Sequence, residues 1–200
     1  MTKHFHVITV ILLFPLSPSV GSGIDMGEHA GTLRLLDDND DELLVNNYSE
    51  RPATAVLFLS SRCPATERSV SAINELYQKY RLRNVLYLGV CANAVESADD
   101  LQEFAQKRGM IFTIYCDPEG TVAERLGASS TPEVFLLNNN GQLVYRGGLD
   151  REEGLTALET AVQQVLKKEP VNVAAVPVKG TPLDRPGEPD AHGPVPHHLL

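Results

Sequence analysis

No tryptophan occurs in the 200 residues, and no histidine lies between residues 30 and 191; the six histidines are His4, His6, His29, His192, His197 and His198. A histidine-based metal site, or a Ser-His or Cys-His catalytic pair, is therefore excluded from the central part of the chain. Basic residues are scarce: 17 Lys+Arg face 26 Asp+Glu, a formal net charge of −9. Such a balance offers no basic patch for phosphates and argues against a nucleic-acid partner. Long apolar runs are also missing. Val7 to Leu16 is apolar, but a bilayer span needs about 20 residues, so no membrane span is expected. Cysteine is limited to Cys63, Cys91 and Cys116, no two of them close in sequence. Chemistry is left to three thiols, the carboxylates and the hydroxyls, and neither a metal nor a cofactor is expected.

The length suits one domain with appendages, and 42% hydrophobic residues suffice for a core. Lys3, the run Val7–Leu16 and the small residues Ser19, Gly21, Ser22 and Gly23 read as an export signal over 1–23. Export, to a periplasmic or extracellular space, places the chain where disulfides persist. Residues 24–31 read as a flexible lead-in. The segment 170–200 holds seven of the 13 prolines and no apolar period, so it reads as an extended, mostly disordered tail. Its His197 and His198 are read as solvated rather than metal-binding.

Between these ends, over 32–169, strand and helix patterns alternate. Thr32–Leu36 and Glu42–Val45 flank an acidic turn as a hairpin. Ala53–Leu59 and Val85–Cys91 are continuous apolar runs, the pattern of strands buried on both faces. Val70, Ile73, Leu76, Tyr77 and Tyr80 fall at helical spacing. Ser97 is placed to cap a helix carrying Leu101, Phe104 and Ala105 inward. Ile111–Tyr115 reads as a strand, and Thr121 with Glu124 as a capping box. Glu133–Leu137 and Leu143–Arg146 flank the hairpin turn Asn140-Gly141. Asp150 with Glu153 caps a last helix. The order β-β-β-α-β-α-β-α-β-β-α implies an α/β fold, a mixed sheet with parallel βα units, a C-terminal hairpin and helices on both faces. Functional groups in such sheets gather at the carboxyl ends of the parallel strands.

Cys63 stands at such an end, just before a helix that Pro64 starts well because its missing N–H would be unpaired there anyway. Unpaired N–H groups at the helix start favour a thiolate. With help from Arg62 and Arg68 they can bring a thiol pKa down from about 8.5 toward neutrality. The alternative is a buried, inert cysteine at a strand end. Glu67, Asp117 and Glu133 are polar residues near this place with a supporting role at most. Asn93 and Ser97 suit loop shaping and capping. Arg146 is ambiguous between an exposed strand residue and a site contact.

The stretches AVLFLSSRCPATE, YLGVCANAVESADDLQEFAQKRGMIFTIYCDPEGTVAERLGA, STPEVFLLNNNGQLVYRG and LD, in that order across residues 54–150, resemble the thioredoxin-like superfamily. Specifically they resemble its redoxin branch, which includes the alkyl hydroperoxide reductase/thiol-specific antioxidant (peroxiredoxin) proteins. The resemblance implies a thioredoxin-like sheet, a nucleophilic Cys63 and a cis-proline facing it at Thr131-Pro132. Three departures stand out. Thr66 occupies the second cysteine position of C-x-x-C. Ser60 fits the hydroxyl position of the peroxiredoxin motif, but Val56 replaces its proline, and the peroxiredoxin arginine, aligned near Pro132, is absent. Some secreted relatives carry Gly-Cys in a C-terminal extension, where this chain has Thr181.

In the implied fold Cys91 and Cys116 end neighbouring parallel strands, about 4.8 Å apart. A disulfide needs Cα atoms about 4.4–6.8 Å apart, so a Cys91–Cys116 bridge with Cys63 free is one expectation. Resolution of an oxidised Cys63 by Cys91 is its rival. The resemblance implies an exported thiol-dependent oxidoreductase, with antioxidant (peroxidase-like) or thiol–disulfide exchange activity through the single nucleophile Cys63. Its partners would be a peroxide or disulfide substrate and a thiol electron donor. Ser60 would hydrogen-bond the sulfur, and Thr131-Pro132 would shape the groove. The alternative is a non-catalytic thioredoxin-fold binding module. A copper chaperone of the same superfamily is disfavoured, because C-x-x-x-C and a core histidine are both missing.

Overall fold

The computed structural model describes residues 23–150, 152–173 and 175–184. Strands β1 (Leu33–Leu36) and β2 (Glu42–Val45) form the first hairpin, and β3 (Ala53–Phe58) leads into helix α1 (Pro64–Tyr80). Strand β4 (Val85–Cys91), α2 (Ala98–Arg108), β5 (Ile114–Cys116) and α3 (Thr121–Leu126) follow. The chain continues through β6 (Ser130–Thr131), β7 (Glu133–Asn138), β8 (Leu143–Gly148), α4 (Gly154–Leu166) and β9 (Thr181–Pro182). Seven strands make one sheet in the order β2-β1-β5-β4-β3-β7-β8, while β6 and β9 pair separately. The pairs β3–β4 and β4–β5 are parallel, and β3–β7 and β7–β8 antiparallel. The mixed α/β sheet expected from the alternating pattern is the one observed.

Every residue of β3 is buried, as its unbroken apolar run requires. One face of the sheet packs Ala55, Leu57, Val134 and Leu136 against Ile73 and Leu76 of α1 and Leu158 and Val162 of α4. The other packs Val56, Phe58, Phe135 and Leu137 against Val122 and Leu126 of α3. Each fully buried side chain of this size contributes about 1.5–3 kcal/mol. Helix α2 sends Leu101, Phe104 and Ala105 toward Val70, Cys91 and Ile114. Ser97 caps α2 in a complete capping box with Asp100. The turn Asn140-Gly141 needs glycine twice over: its φ is +71°, and a Cβ there would sit 2.5 Å from the Tyr48 ring.

Four expectations differ from the structure. The β5 strand is Ile114–Cys116, set later than Ile111–Tyr115; Ile111 is 42% exposed and lies outside the strand. Helix α3 is not held by a Thr121–Glu124 box. Its N-cap is Gly120, and Asp117 reaches in from the preceding turn, accepting from Ala123 N (2.8 Å) and the Thr121 hydroxyl.

Residues 24–31 are not a loose lead-in. Ile24 and Ala30 are buried, and Ile24, Gly27 and Ala30 donate main-chain bonds to Arg125, Leu143 and Gly141. A polar, glycine-containing segment leaves no apolar period, yet its backbone pairs well with a hairpin edge. The same reason corrects the first part of the expected disordered tail. Residues 175–184 lie along the domain, with Val176 O accepting from Gly148 N, Leu183 buried in the core and β9 paired with β6. The remaining tail, 185–200, and the expected signal apart from Gly23 lie outside the described residues.

Ile24→Ala is expected to cost about 2–5 kcal/mol, the range for a buried isoleucine in a core, in urea unfolding of the full chain. An unchanged midpoint would mean that the lead-in contributes nothing to the fold.

Candidate active site

Strand β3 delivers the chain to its carboxyl edge, and the loop Leu59–Arg62 turns it into α1 with Cys63 as the N-cap residue and Pro64 in the first turn. The main chain of Cys63 is tied on both sides: its N–H bonds Ser60 O at 3.3 Å, and its carbonyl accepts from Glu67 N at 3.2 Å. Its Sγ donates to the carbonyl of Thr131 at 3.0 Å. Thr131 precedes Pro132 through a cis peptide bond, as the resemblance implies. Two segments 68 residues apart in sequence thus meet at one sulfur.

Burial alone would raise the thiol pKa, and Cys63 is only 1% exposed. The pKa nonetheless falls from 9.0 to about 7. Desolvation opposes the fall. Hydrogen bonds from the Thr181 hydroxyl, the Thr66 N–H, the Thr131 hydroxyl and the Thr181 N–H outweigh it. Thr131 Oγ1 is buried and pairs with no nitrogen or oxygen, so its donor capacity is left for the neighbouring sulfur, whose pKa it lowers. Among the described residues the leading stabilisation comes from oriented neutral donors, one of them the third helical N–H of α1.

Several residues expected to act on the sulfur are engaged elsewhere. Arg62 is exposed, and its positive charge acts on Asp100, not on Cys63. Arg68 is also exposed, and Glu67 is paired with Arg108 at 2.6 Å. Arg146 is exposed on β8, where it acts on Glu133. Ser60 is buried beside the site, but its hydroxyl accepts from Arg62 N at 3.1 Å; the sulfur takes its hydroxyl contacts from Thr131 and Thr181 instead. Thr66 fills the space of a second cysteine, fully buried, and its Oγ1 accepts from Ser60 N at 3.4 Å.

Asp117 and Glu133 are both buried, and burial pushes both carboxyls up. Asp117 holds α3, and Glu133 holds the loop before Thr131 by accepting from Ser129 N at 2.9 Å. Glu96 was not singled out by the sequence pattern. It is buried after β4 and accepts from Ser61 N and from the Asn93 side chain, fixing the loop that carries Cys63. A lone glutamate after a strand leaves no recognisable signal. Thr181 had one, in its alignment with the Gly-Cys of relatives.

Cys91 and Cys116 are partners in register on β4 and β5. Both are free thiols, as is Cys63, so the expected bridge is not formed in this structure. The two side chains share a hydrogen bond, which pushes Cys91 up together with burial and holds Cys116 down against it. The Cys91 sulfur points to Cys116 and to Glu96 O, whereas the Cys63 sulfur faces Thr131 and Thr181. Among the described residues, no group of three His, Cys, Asp or Glu side chains is placed to hold a metal ion. No helix among them is long and apolar enough to cross a membrane.

A mixed α/β sheet with a low-pKa thiol at the first helix start and a cis-proline against it defines a thioredoxin-like redoxin. The chain matches the AhpC/TSA family over residues 26–146 and belongs to it. It is 30% identical over 105 residues to the thiol-disulfide oxidoreductase ResA of Geobacillus thermodenitrificans, covering 52% of this chain and 59% of that protein. The chain thus spans well under two thirds of that relative. Among solved structures it is similar to a hypothetical protein from Sinorhizobium meliloti 1021, with a TM-score of 0.75, 25% identity, and coverage of 83% and 97% of the two chains. Peroxidoxin BcpB from Mycobacterium tuberculosis shares the fold at a TM-score of 0.57 and 13% identity, over 72% and 96% of the two chains.

The Cys63 thiolate, read by its ultraviolet absorbance in the folded chain, should titrate with a midpoint near 7, and Thr181→Val should move that midpoint upward. A midpoint at the ordinary thiol value in the wild type would contradict the donor arrangement. Because the pKa is lowered on folding, the thiolate's contribution to stability is complete above the ordinary 9.0 and is lost as pH falls through about 7. The stability advantage over Cys63→Ser should therefore grow as pH rises across that window. Mild oxidation is expected to link Cys91 to Cys116 in non-reducing peptide maps. A map containing only Cys63–Cys91 would reverse this assignment.

Proposed function

We propose that this protein is a thiol–disulfide oxidoreductase working through the single nucleophile Cys63. The observation that carries the reading is the buried Cys63 sulfur at the start of α1, against the residue before the cis-proline, with neutral donors around it that lower its pKa to about 7. The ResA relative is named for the same chemistry. In the proposed cycle the Cys63 thiolate attacks one sulfur of a substrate disulfide. The substrate S–S bond breaks, a mixed disulfide forms, and the departing sulfur leaves as a thiolate that takes a proton from water. A thiol donor, of low molecular weight or a dithiol protein, then attacks the mixed disulfide and returns Cys63 to the thiolate. Thr66 stands where a second active-site cysteine would act, and Cys91 faces Cys116, so the resolving thiol comes from outside the chain. Thr131 and Pro132 form the wall beside the sulfur, and Ser60 and Pro64 fix the loop and helix start that present it.

The peroxidase-like reading is supported less. Reduction of a peroxide gains from a cation that polarises the O–O bond, whereas the leading influences on Cys63 among the described residues are burial and neutral hydrogen-bond donors. The binding-module alternative leaves the lowered pKa without a purpose. The apolar run Val7–Leu16 supports an exported setting, in which disulfide substrates are abundant.

Wild-type protein should exchange with a fluorescent mixed-disulfide reporter at a rate that rises through pH 7 with the thiolate, and Cys63→Ser should fall to the uncatalysed rate. Hydrogen peroxide should be consumed no faster than by an ordinary thiol. Exchange that survives in Cys63→Ser would refute the assignment.

A further inference from the structure

Residues 175–184 cross directly over the sulfur. The segment is pinned at one end by Gly148 N to Val176 O at 2.9 Å. At the other end Leu183 N donates to Ser129 O at 3.0 Å, Ala94 N to Asp184 O at 2.9 Å, and Asp184 N to Asn93 Oδ1 at 3.1 Å. Between these pins β9 runs antiparallel to β6, with Thr131 opposite Thr181 and Ser130 opposite Pro182. The Thr181 hydroxyl and N–H both reach the Cys63 sulfur. Gly180 passes so close that a Cβ on it would lie 1.8 Å from Thr131 O, the carbonyl to which the thiol donates. Leu183 is buried with Val56, Phe58 and Phe135. The segment thus occupies the edge beside the thiol as an extended peptide adds to a sheet edge, by main-chain pairing plus side-chain pockets. With it in place Cys63 is 1% exposed, and no disulfide can reach the sulfur in line.

We propose that Gly180-Thr181-Pro182-Leu183 is a resident mimic of the substrate: an extended peptide whose disulfide-bonded cysteine takes the place of Thr181 and which must displace this strap to reach Cys63. This rests on the thiol–disulfide reading of Cys63. The site then selects a glycine-sized residue before the substrate cysteine, because of the Thr131 carbonyl, and an apolar residue two after it, for the Leu183 pocket. The strap is replaceable because much of its hold consists of main-chain bonds and the buried Leu183, which a competing peptide reproduces, the packing of Val176 and the ion pair Lys179–Glu153 being specific to the strap. The exchange step is unchanged: Cys63 attacks the peptide cysteine sulfur, the peptide disulfide breaks, and its other half leaves as a thiol.

The test uses the full chain. Thr181→Cys treated with oxidised glutathione should yield a disulfide between Cys63 and the introduced thiol, two glutathione thiols being released, as the main product in non-reducing peptide maps. Recovery of Cys63 as a glutathione adduct with the introduced thiol unpaired would overturn the placement. Gly180→Val, which drives the strap off the Thr131 carbonyl without entering the core, should raise the iodoacetamide labelling rate of Cys63 by about tenfold or more, since access is otherwise limited by local opening. Leu183→Asp should act in the same direction, with cooperative thermal unfolding confirming that each variant is folded. Unchanged labelling in the folded variants would overturn the proposal. Finally, a glutathione mixed disulfide of the peptide Ser-Gly-Cys-Pro-Leu should exchange faster than the same peptide with valine for glycine. Equal rates for the two peptides would overturn the mimic alone. If the Thr181→Cys variant forms its bridge to Cys63 and labelling is faster, yet neither peptide exchanges, the exchange reading falls and the substrate assignment with it.

Discussion

The hydrogen bond from the Cys63 thiol to the Thr131 carbonyl is the contact on which the rest of the site depends. It joins the start of α1 to the turn before β7, so both must be held rigidly for the sulfur to find its donors. The rigidity comes from the sheet. β3, which delivers Cys63, and β7, which follows Pro132, are adjacent antiparallel strands, with Phe58 opposite Glu133 at the active end. Both are buried on each face, so a small displacement of either would open voids in a close-packed core. Glu96 and Glu133 then fix the two loops from either side, each accepting a main-chain N–H.

The electrostatic solution at the sulfur is unusual for a buried acid. An ion pair is the common way to keep a buried group charged, yet among the described residues the thiolate is favoured chiefly by hydroxyl and amide donors. Such donors stabilise the anion strongly inside a low-dielectric site, where they need little reorganisation. A site of this kind suits exchange between sulfurs, where the transition-state charge is spread along a line of sulfur atoms and no oxyanion needs a guanidinium.

Two of those donors come from Thr181, a residue on a segment with no helical or strand period of its own. The same short segment therefore tunes the thiol and covers it. Activation and protection are coupled: lifting the strap exposes the sulfur and at the same time removes two hydrogen bonds that hold it as a thiolate. A peptide docking in its place restores the main-chain contacts, so full reactivity is recovered only when the track is filled. Cys91 and Cys116 stand apart from this arrangement, their sulfurs turned to each other across β4 and β5.

The sequence by itself determined the sheet's core and the thiol's address. Unbroken apolar runs specified β3 and β4, helical spacing specified α1, Ser97 specified the start of α2, and Pro64 placed Cys63 at a helix N-terminus. These are local signals, each legible because propensity, capping and periodicity act over a few residues. Tertiary structure decided what surrounds the sulfur. Arg62 and Ser60 are its neighbours in sequence, but one points to solvent and the other satisfies a loop N–H; the donors come from Thr131 and Thr181, far along the chain. It likewise decided that the polar lead-in and the proline-rich strap are ordered. Both are held by main-chain hydrogen bonds to existing edges, and a backbone bond carries no residue code. Glu96 became visible only when the β4–α2 loop was folded onto the β3–α1 loop, because a buried carboxylate is defined by the N–H groups it meets and not by its place in a pattern.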